Sequence, residues 1–164
     1  PLFAVGAARG GPGHVLALLC SMKNLMVQKF MTRLPHTVSQ EQSLALAHEL
    51  MRAHDVRHLP VLKDGRLVGI VSQRDLYLIE SLEGVDMDQV PVADAMTTDI
   101  YTVAPHTSVR RIAEEMAVHR YGSAVVMEGD AIVGIFTTTD ALATLHGVLD
   151  TLAQDVRPAA DSCG

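Results

Sequence analysis

The sequence has no tryptophan and few aromatic residues of any kind. Phe, Tyr and Trp together make up 4% of its 164 residues, whereas apolar residues as a whole make up 48%. A hydrophobic core must therefore be built from Val, Leu, Ile, Ala and Met. A chain of this length forms one ordinary domain, or two small subdomains that share a core.

Basic residues are also scarce. The 13 Lys and Arg residues are outnumbered by 19 Asp and Glu residues, which gives a formal net charge of -6 at pH 7. Affinity for a phosphate backbone depends on clustered Lys and Arg, so this composition argues against nucleic-acid binding. A small anionic ligand is not excluded, because it responds to local charge rather than to the total.

Cysteine is almost absent, since the 2 cysteines, Cys20 and Cys163, lie near opposite ends of the chain. This excludes a disulfide framework and a Cys-based zinc site, and it favours a reducing, cytoplasmic location. Long hydrophobic runs are missing as well. The run Val15–Cys20 is far too short to span a bilayer and lacks the flanking features of a signal peptide. We expect residues 1–26 to be a loosely ordered lead-in segment with no role at a membrane.

Motifs typical of enzymes are missing too. The sequence contains no nucleophile elbow, no glycine-rich phosphate loop of the NTPase kind and no HExxH, so we predict that the protein is not an enzyme. Its 8 histidines show no metal-ligand spacing with one another, which predicts no metal site. A metal-responsive module that uses these histidines is kept as a rival hypothesis.

The chain contains an internal repeat. "GIVSQRDL" at Gly69–Leu76 returns as "GIFTTTDA" at Gly134–Ala141, and positions 27–75 align with positions 92–140 without a gap. Identities at this offset of 65 residues include Met31/Met96, Thr37/Thr102, Ser43/Ser108, His54/His119, Val61/Val126, Gly69/Gly134 and Asp75/Asp140. Because the matches fall in runs, the chain is a duplicated unit, and the duplication determines its architecture.

Each unit begins with a predicted strand and helix. The strands are expected at His36–Val38 and Tyr101–Val103, directly before apolar residues at helical spacing. In the first unit Ser39 and Gln42 spell a capping box, and in the second Pro105 suits a first helical turn.

A hairpin and a second helix follow in each unit. Asp64-Gly65 is a tight-turn signal in the first hairpin. The second helices are predicted near Gln73–Leu82 and Thr138–Leu152. The expected fold is α+β, with two β-α-β-β-α repeats packed sheet to sheet around a pseudo-twofold axis. The expected boundaries are 27–82 for the first repeat, 83–91 for a linker, 92–150 for the second repeat and 151–164 for a C-terminal tail, which is expected to be disordered over residues 154–164.

The repeated sequence motif has two physical interpretations. We name Ser72–Asp75 the first motif and Thr137–Asp140 the second motif. The glycine before each motif leaves room for a flat ring, the helix start favours a phosphate, and the Asp carboxylate suits two ribose hydroxyls. The same spelling also forms a capping box that only satisfies the free N–H groups of the helix.

The tandem unit, with "MTRLPHTV", "VRHLPVLKDGRLVGIVSQRDL" and "GSAVVMEGDAIVGIFTTTDA", resembles a pair of CBS (cystathionine-β-synthase-type) domains over about residues 27–149. The resemblance implies a regulatory module that binds an adenosine derivative, such as AMP, ADP or ATP, in the cleft between the repeats. It implies no further cofactor, and the identity of the nucleotide stays open. It also implies association into a homodimer and an effector protein that the sequence does not identify. The alternative is a dimerisation or interaction scaffold with vestigial sites.

The resemblance places the Asp of each motif at the ribose, and a strand threonine of each repeat near the base or ribose. The candidate ligand-binding residues are Thr37, Arg57, His58, Ser72, Arg74, Asp75, Thr102, Thr137 and Asp140. Val125 replaces the proline of the first hairpin, Pro60, in the second unit, so one occupied site is expected.

The two halves differ in charge. The first unit has Arg57, His58 and Arg74 where the second has Gly122, Ser123 and Thr139. This difference predicts more positive charge near the first motif. Because sites in the family lie between repeats, which of the two sites each basic residue serves stays open.

The last helix carries a leucine stripe. Leu142, Leu145, Leu149 and Leu152 recur at helical spacing. Core packing is the first interpretation, and a dimer interface is the second.

Overall fold

Two sheets and four α-helices make up the part of the chain that the structure describes, residues 25–155 of a computed structural model. The elements are β1 (Thr32–Arg33), β2 (Val38–Ser39), α1 (Leu44–Ala53), β3 (His58–Lys63), β4 (Arg66–Ser72), α2 (Gln73–Glu80), β5 (Thr102–Val103), α3 (Val109–His119), β6 (Ser123–Glu128), β7 (Ala131–Thr137) and α4 (Thr138–Asp155). The expected α+β fold with two β-α-β-β-α repeats is confirmed. The predictions for residues 1–24, for both cysteines and for most of the tail lie outside the described residues.

Each first helix starts later than the sequence predicted. The side chain of Ser43 accepts a hydrogen bond from the Leu46 amide at 3.3 Å and caps α1, and Ser108 caps α3 in the same way. The Ser39 amide does donate to the Gln42 side chain at 2.8 Å, but this contact lies in the turn before the helix. The prediction of a capping box that starts the helix at Ser39 is therefore wrong, and Pro105 also precedes its helix. Ser39 and Ser43 could both cap this helix, and only Ser43, which directly precedes the apolar helix residues, does so.

The second helices begin where they were predicted, and only their ends differ. Helix α2 ends at Glu80, before the expected Leu82, and α4 continues to Asp155, beyond the expected Leu152. The first five residues assigned to the tail, Thr151–Asp155, are therefore helical.

Each repeat has its own hydrophobic core. A residue from the start of the other repeat completes that core. Val27, at the start of the first repeat in sequence, is fully buried in the core of the second repeat. Its equivalent Val92 is fully buried in the core of the first repeat. The Val27 amide donates to the Thr107 carbonyl at 2.9 Å, and the Val92 amide donates to the Gln42 carbonyl at 2.8 Å. The repeats thus exchange their leading segments.

The exchange continues in the sheets. β1 pairs antiparallel with β7, so that Thr32 lies opposite Ile135, and Thr97 forms the equivalent bridge to Ile70 of β4. The methionine before each of these pairings lies against the glycine of the other repeat. A Cβ atom on Gly69 would lie 2.5 Å from the Met96 sulfur, and one on Gly134 would overlap Met31. The room beside the glycines is therefore taken by methionine, and the expectation that a flat ligand ring lies there is wrong.

Replacing Gly134 by Ala is expected to lower the free energy of unfolding by about 1–3 kcal/mol, because the new methyl group overpacks the seam between the repeats. Gly147, in the middle of α4, has no neighbour within 4 Å of a Cβ position. Gly147→Ala should therefore raise the free energy of unfolding by about 0.5–1 kcal/mol through helix propensity alone. Urea unfolding of both variants makes the comparison. If both substitutions changed the free energy of unfolding by the same amount and in the same direction, Met31 would not restrict the Gly134 position.

The leucine stripe of α4 is solvent-exposed. Leu142, Leu145 and Leu149 are 66%, 51% and 54% exposed, so the first interpretation, core packing, is wrong. Helical spacing shows which residues share a face, but it does not show what covers that face. Within residues 25–155 no helix is long and apolar enough to cross a membrane.

Candidate ligand-binding site between the repeats

The first motif lies where β4 passes into α2. Asp75 Oδ2 accepts hydrogen bonds from the Ser72 amide at 2.8 Å and from the Ser72 hydroxyl at 2.6 Å. The Asp75 amide donates in return to Ser72 Oγ at 3.4 Å, which completes a capping box. The capping interpretation of this motif is confirmed.

The second motif has the same geometry at the start of α4. Asp140 Oδ2 accepts from the Thr137 amide and from the Thr137 hydroxyl, both at 2.7 Å. In both motifs the cap uses Oδ2, and none of the hydrogen bonds among the described residues involves Oδ1 of either Asp. Capping therefore leaves one carboxylate oxygen of each Asp available, and the cap and a ligand contact are compatible.

The starts of β3 and β6 meet between the two motifs. Arg57 Nη2 donates to Thr139 Oγ1 at 2.9 Å, so the guanidinium of the first repeat reaches the second motif. The Arg57 carbonyl accepts from the Gln73 amide of the first motif at 2.9 Å, so Arg57 lies near both motifs while its side chain contacts the second. The contact joins residues 82 positions apart, so no local sequence signal could have shown it. The alignment of the repeats reveals only that Gly122 stands in place of this arginine.

His58 fills the space that Gly122 leaves. A Cβ atom on Gly122 would lie 2.7 Å from His58 Nε2, so the imidazole packs directly on the backbone of the other repeat. His58 also lies opposite Ser72 in the β3–β4 pair. Burial is the main cause that lowers the pKa of His58, and the nearby Arg57 charge lowers it further, while Asp75 opposes the shift.

This lowered pKa predicts a pH dependence of stability. The unfolded chain protonates His58 at a higher pH than the folded chain does. At a pH where His58 is protonated only in the unfolded chain, the folded state therefore binds fewer protons than the unfolded state. Stability should therefore fall between about pH 7 and pH 5 and change little through this group at higher pH. Chemical unfolding across that range should give a flatter profile for His58→Asn than for the unsubstituted protein. Identical profiles would contradict the assignment to His58.

The other predicted residues are spread over several surfaces. Thr37 is half-buried just before β2, and Arg74 is exposed in the first turn of α2. Thr102 is exposed and lines a cavity of about 550 Å³ between the first hairpin and the second repeat. The cavity is lined by Arg66, Leu67, Thr98, Asp99, Ile100, Thr102, Met127, Gly129 and Asp130. None of the other eight predicted residues lines it, because it lies toward the hairpin turns rather than the motifs.

In the described part of the chain, two histidines stack on each other, and no metal-binding cluster of histidines forms. His36 and His54 stack with their ring centroids 3.6 Å apart. Among residues 25–155 no group of three or more His, Cys, Asp or Glu side chains could hold a metal ion.

The sequence matches the profile of the CBS domain twice, over residues 27–79 and 92–147. It is 32% identical to the CBS domain-containing protein YhcV of Bacillus subtilis (strain 168), over 70% of this chain and 81% of that protein.

Solved structures agree with this match. The acetoin utilization protein AcuB from Vibrio cholerae shares 35% identity, with a TM-score of 0.68 over 81% of this chain and 98% of that one. The structure of CBSX2 in complex with AMP shares 26% identity, with a TM-score of 0.67 over 76% of this chain and 98% of that one. Two profile matches, related by the same internal repeat that builds the fold, show that this chain belongs to the CBS-domain family and carries a tandem pair of CBS domains.

Proposed function

We propose that this protein is a regulatory module, without catalytic activity, that senses an adenine nucleotide in the crevice between its two CBS repeats. The observation that carries the proposal is the capped motif at the start of α2 and again at the start of α4, each with one carboxylate oxygen not engaged by the cap. The relative solved with AMP supports an adenosine compound as the ligand class.

Each part of a nucleotide has a suitable neighbour in this proposal. The free Oδ1 atoms of Asp75 and Asp140 would accept hydrogen bonds from ribose hydroxyls. The helix start and the Arg57 guanidinium, 2.9 Å from Thr139 Oγ1, would attract a phosphate. Thr37 and Thr102 would approach the base or ribose.

The exchanged leading segments supply a route from ligand to response. β1 is hydrogen-bonded to β7 only two residues before the second motif, at the pair Thr32 and Ile135. A ligand that moves the start of α4 would therefore also move the segment that leads into the first repeat. Such a ligand would shift the population of inter-repeat geometries, which an effector protein could detect.

Calorimetry of the full chain with AMP, ADP, ATP, NAD and S-adenosylmethionine tests the proposal. We expect at least one of these compounds to bind and to raise the melting temperature. If none gives heat or a thermal shift while the protein still dimerises, the scaffold with vestigial sites is the better description.

The exposed apolar faces of the helices support a homodimer. Tyr77 and Leu78 on α2 are 51% and 66% exposed, and Leu82 just after α2 is 52% exposed. Tyr77 is the repeat equivalent of Leu142 in the stripe of α4. Exposed apolar side chains on both helices are suited to contact with a second copy of the chain, which in a twofold dimer presents the same patch. A second cavity of about 510 Å³ opens between α1 and α2 beside this surface.

The dimer can be tested by sedimentation. The unsubstituted protein should sediment as a dimer in a reducing buffer like the cytoplasm in which we propose that it acts. Replacing Leu145 and Leu149 by Glu should raise the dimer dissociation constant at least about tenfold, because two charges enter an apolar interface. Leu34→Glu is the control, since Leu34 is 82% exposed and its amide is bonded to the Val133 carbonyl of β7, outside the leucine stripe. A leucine-to-glutamate pair that sediments as the parent protein does would refute the interface.

A further inference from the structure

The linker after the first repeat lies over the groove between α1 and α2, which we name the first groove. The Leu44 amide donates to the Val90 carbonyl at 2.9 Å, and the Ala45 amide donates to the Met87 carbonyl at 3.1 Å. Met87 packs on the core of the first repeat and lines the cavity of about 510 Å³ in this groove. The linker is therefore bonded to the start of α1 and forms one wall of the first groove.

The chain before the first repeat meets the second repeat in the same way. The Val109 amide at the start of α3 donates to the Leu25 carbonyl at 2.7 Å. Leu25 is the repeat equivalent of Val90, and three residues earlier Met22 matches Met87 in identity. The repeat thus continues upstream of Leu25, where the described part of the chain begins, and directs the preceding residues toward the groove between α3 and α4. We name this the second groove.

Three polar residues that line the first groove have apolar equivalents in the second groove. The pairs are His48/Ala113, Arg52/Ala117 and Glu80/Leu145. All three apolar side chains are exposed, and Leu145 is 51% exposed. Two charged residues of the second groove, Arg110 and Glu114, lie 4.0 Å apart and pair with each other. The second groove is therefore the more apolar of the two.

The two segments differ in the same sense as the two grooves. The linker at the polar groove carries Glu83, Asp86 and Asp88, whereas residues 15–22 read VLALLCSM and contain no charged residue. The segment is also long enough. Helix α3 has 11 residues and is about 16 Å long, whereas eight extended residues span up to about 26 Å.

We propose that residues 15–22 dock in the second groove of their own chain, with Met22 at the place that corresponds to Met87 in the first. The contact buries apolar surface of the segment and of Ala113, Ala117 and Leu145. It does not depend on the proposed nucleotide function, and it replaces the expectation of a loosely ordered lead-in for these residues.

The docked segment leaves part of the leucine stripe open to a second copy. Leu142 and Leu149 correspond to Tyr77 and Gly84, which lie outside the lining of the first groove. Of the stripe, Leu145 is thus the residue that faces the segment.

Cys20 lies within the segment and supplies a direct probe of docking. It is the repeat equivalent of Val85, which is half-buried, so docking should shield its thiol. We expect a maleimide to label Cys20 of the full chain at least about tenfold more slowly than Cys20 of a variant with Ala113→His, Ala117→Arg and Leu145→Glu. Peptide mass spectrometry locates the label. The variant gives the second groove the polar residues of the first and keeps the net charge unchanged.

Leu142→Glu is the matched control, because it places a charge on the same helix outside the groove, and it should leave the labelling of Cys20 slow. Cooperative urea unfolding shows that each variant is folded. If the triple variant is not, Leu145→Glu alone makes the comparison.

Three results would overturn the inference. In the first, Cys20 of the parent protein reacts as fast as it does in urea. In the second, Cys20 is equally protected in the parent protein and in the folded groove variant. In the third, protection is lost on dilution together with the dimer, which would assign the cover to a second copy. Protection that is independent of protein concentration supports docking within one chain.

Discussion

Replacing Val27 by Asp is expected to unfold the second CBS repeat, although Val27 is the first residue of the first repeat in sequence. Val27 is fully buried among Val109, Ile112 and other core residues of the second repeat. Burying an unpaired carboxylate there costs several kcal/mol, which is comparable to the whole stability of a small domain. The core of the first repeat still contains Val92 in this variant, so the first repeat should retain more of its structure than the second.

Amide hydrogen exchange measured by mass spectrometry makes this prediction specific to one repeat. Val27→Asp should remove protection from α3 and β6, and the mirrored variant Val92→Asp should remove it from α1 and β3. Val118→Asp is the control on the surface of α3, where Val118 is 71% exposed, and it should change little. Loss of protection confined to the first repeat in Val27→Asp would contradict the exchange of leading segments.

Replacing Asp140 by Asn is expected to weaken AMP binding at the second motif at least about tenfold with only a small loss of stability. An Asn side chain keeps one oxygen, which can still accept the two cap bonds from Thr137 that Asp140 Oδ2 now accepts at 2.7 Å. Its NH2 group replaces the other carboxylate oxygen and donates instead of accepting. The ribose hydroxyls therefore lose their acceptor while the helix keeps its cap.

A cap variant elsewhere separates capping from ligand contact. Ser108→Ala removes the N-cap of α3, where the Arg111 amide donates to Ser108 Oγ at 3.4 Å. It should cost about 1 kcal/mol of stability and leave AMP affinity unchanged. If Asp140→Asn binds AMP as tightly as the parent protein does, the carboxylate serves only as a cap.

Most of the fold could be predicted because its signals are local. The 65-residue offset, the Asp64-Gly65 turn and the strands that end in each motif place both hairpins correctly. The start of α1 was misplaced because Ser39 and Ser43 are both suitable caps, and only packing selects between them. The exchange of Val27 and Val92 could not be predicted, since it pairs segments far apart in sequence whose local patterns are alike.

In the candidate site too, the local features could be predicted from the sequence and the contacts between the repeats could not. The capping boxes of Ser72 and Thr137 could be recognised in the sequence, and the structure contains both. The contact from Arg57 to Thr139 depends on how the repeats face each other, and sequence spacing carries no information on that. The glycines were misinterpreted for the same reason, because the methionine that fills each space comes from the other repeat.

A crystal structure of the full chain grown with AMP tests the proposed crevice most directly. We predict ribose hydroxyls within hydrogen-bond distance of Oδ1 of Asp75 or Asp140, with the phosphate at the start of the same helix. AMP bound only elsewhere, or both Oδ1 atoms facing solvent at a saturating AMP concentration, would contradict a nucleotide site between the repeats.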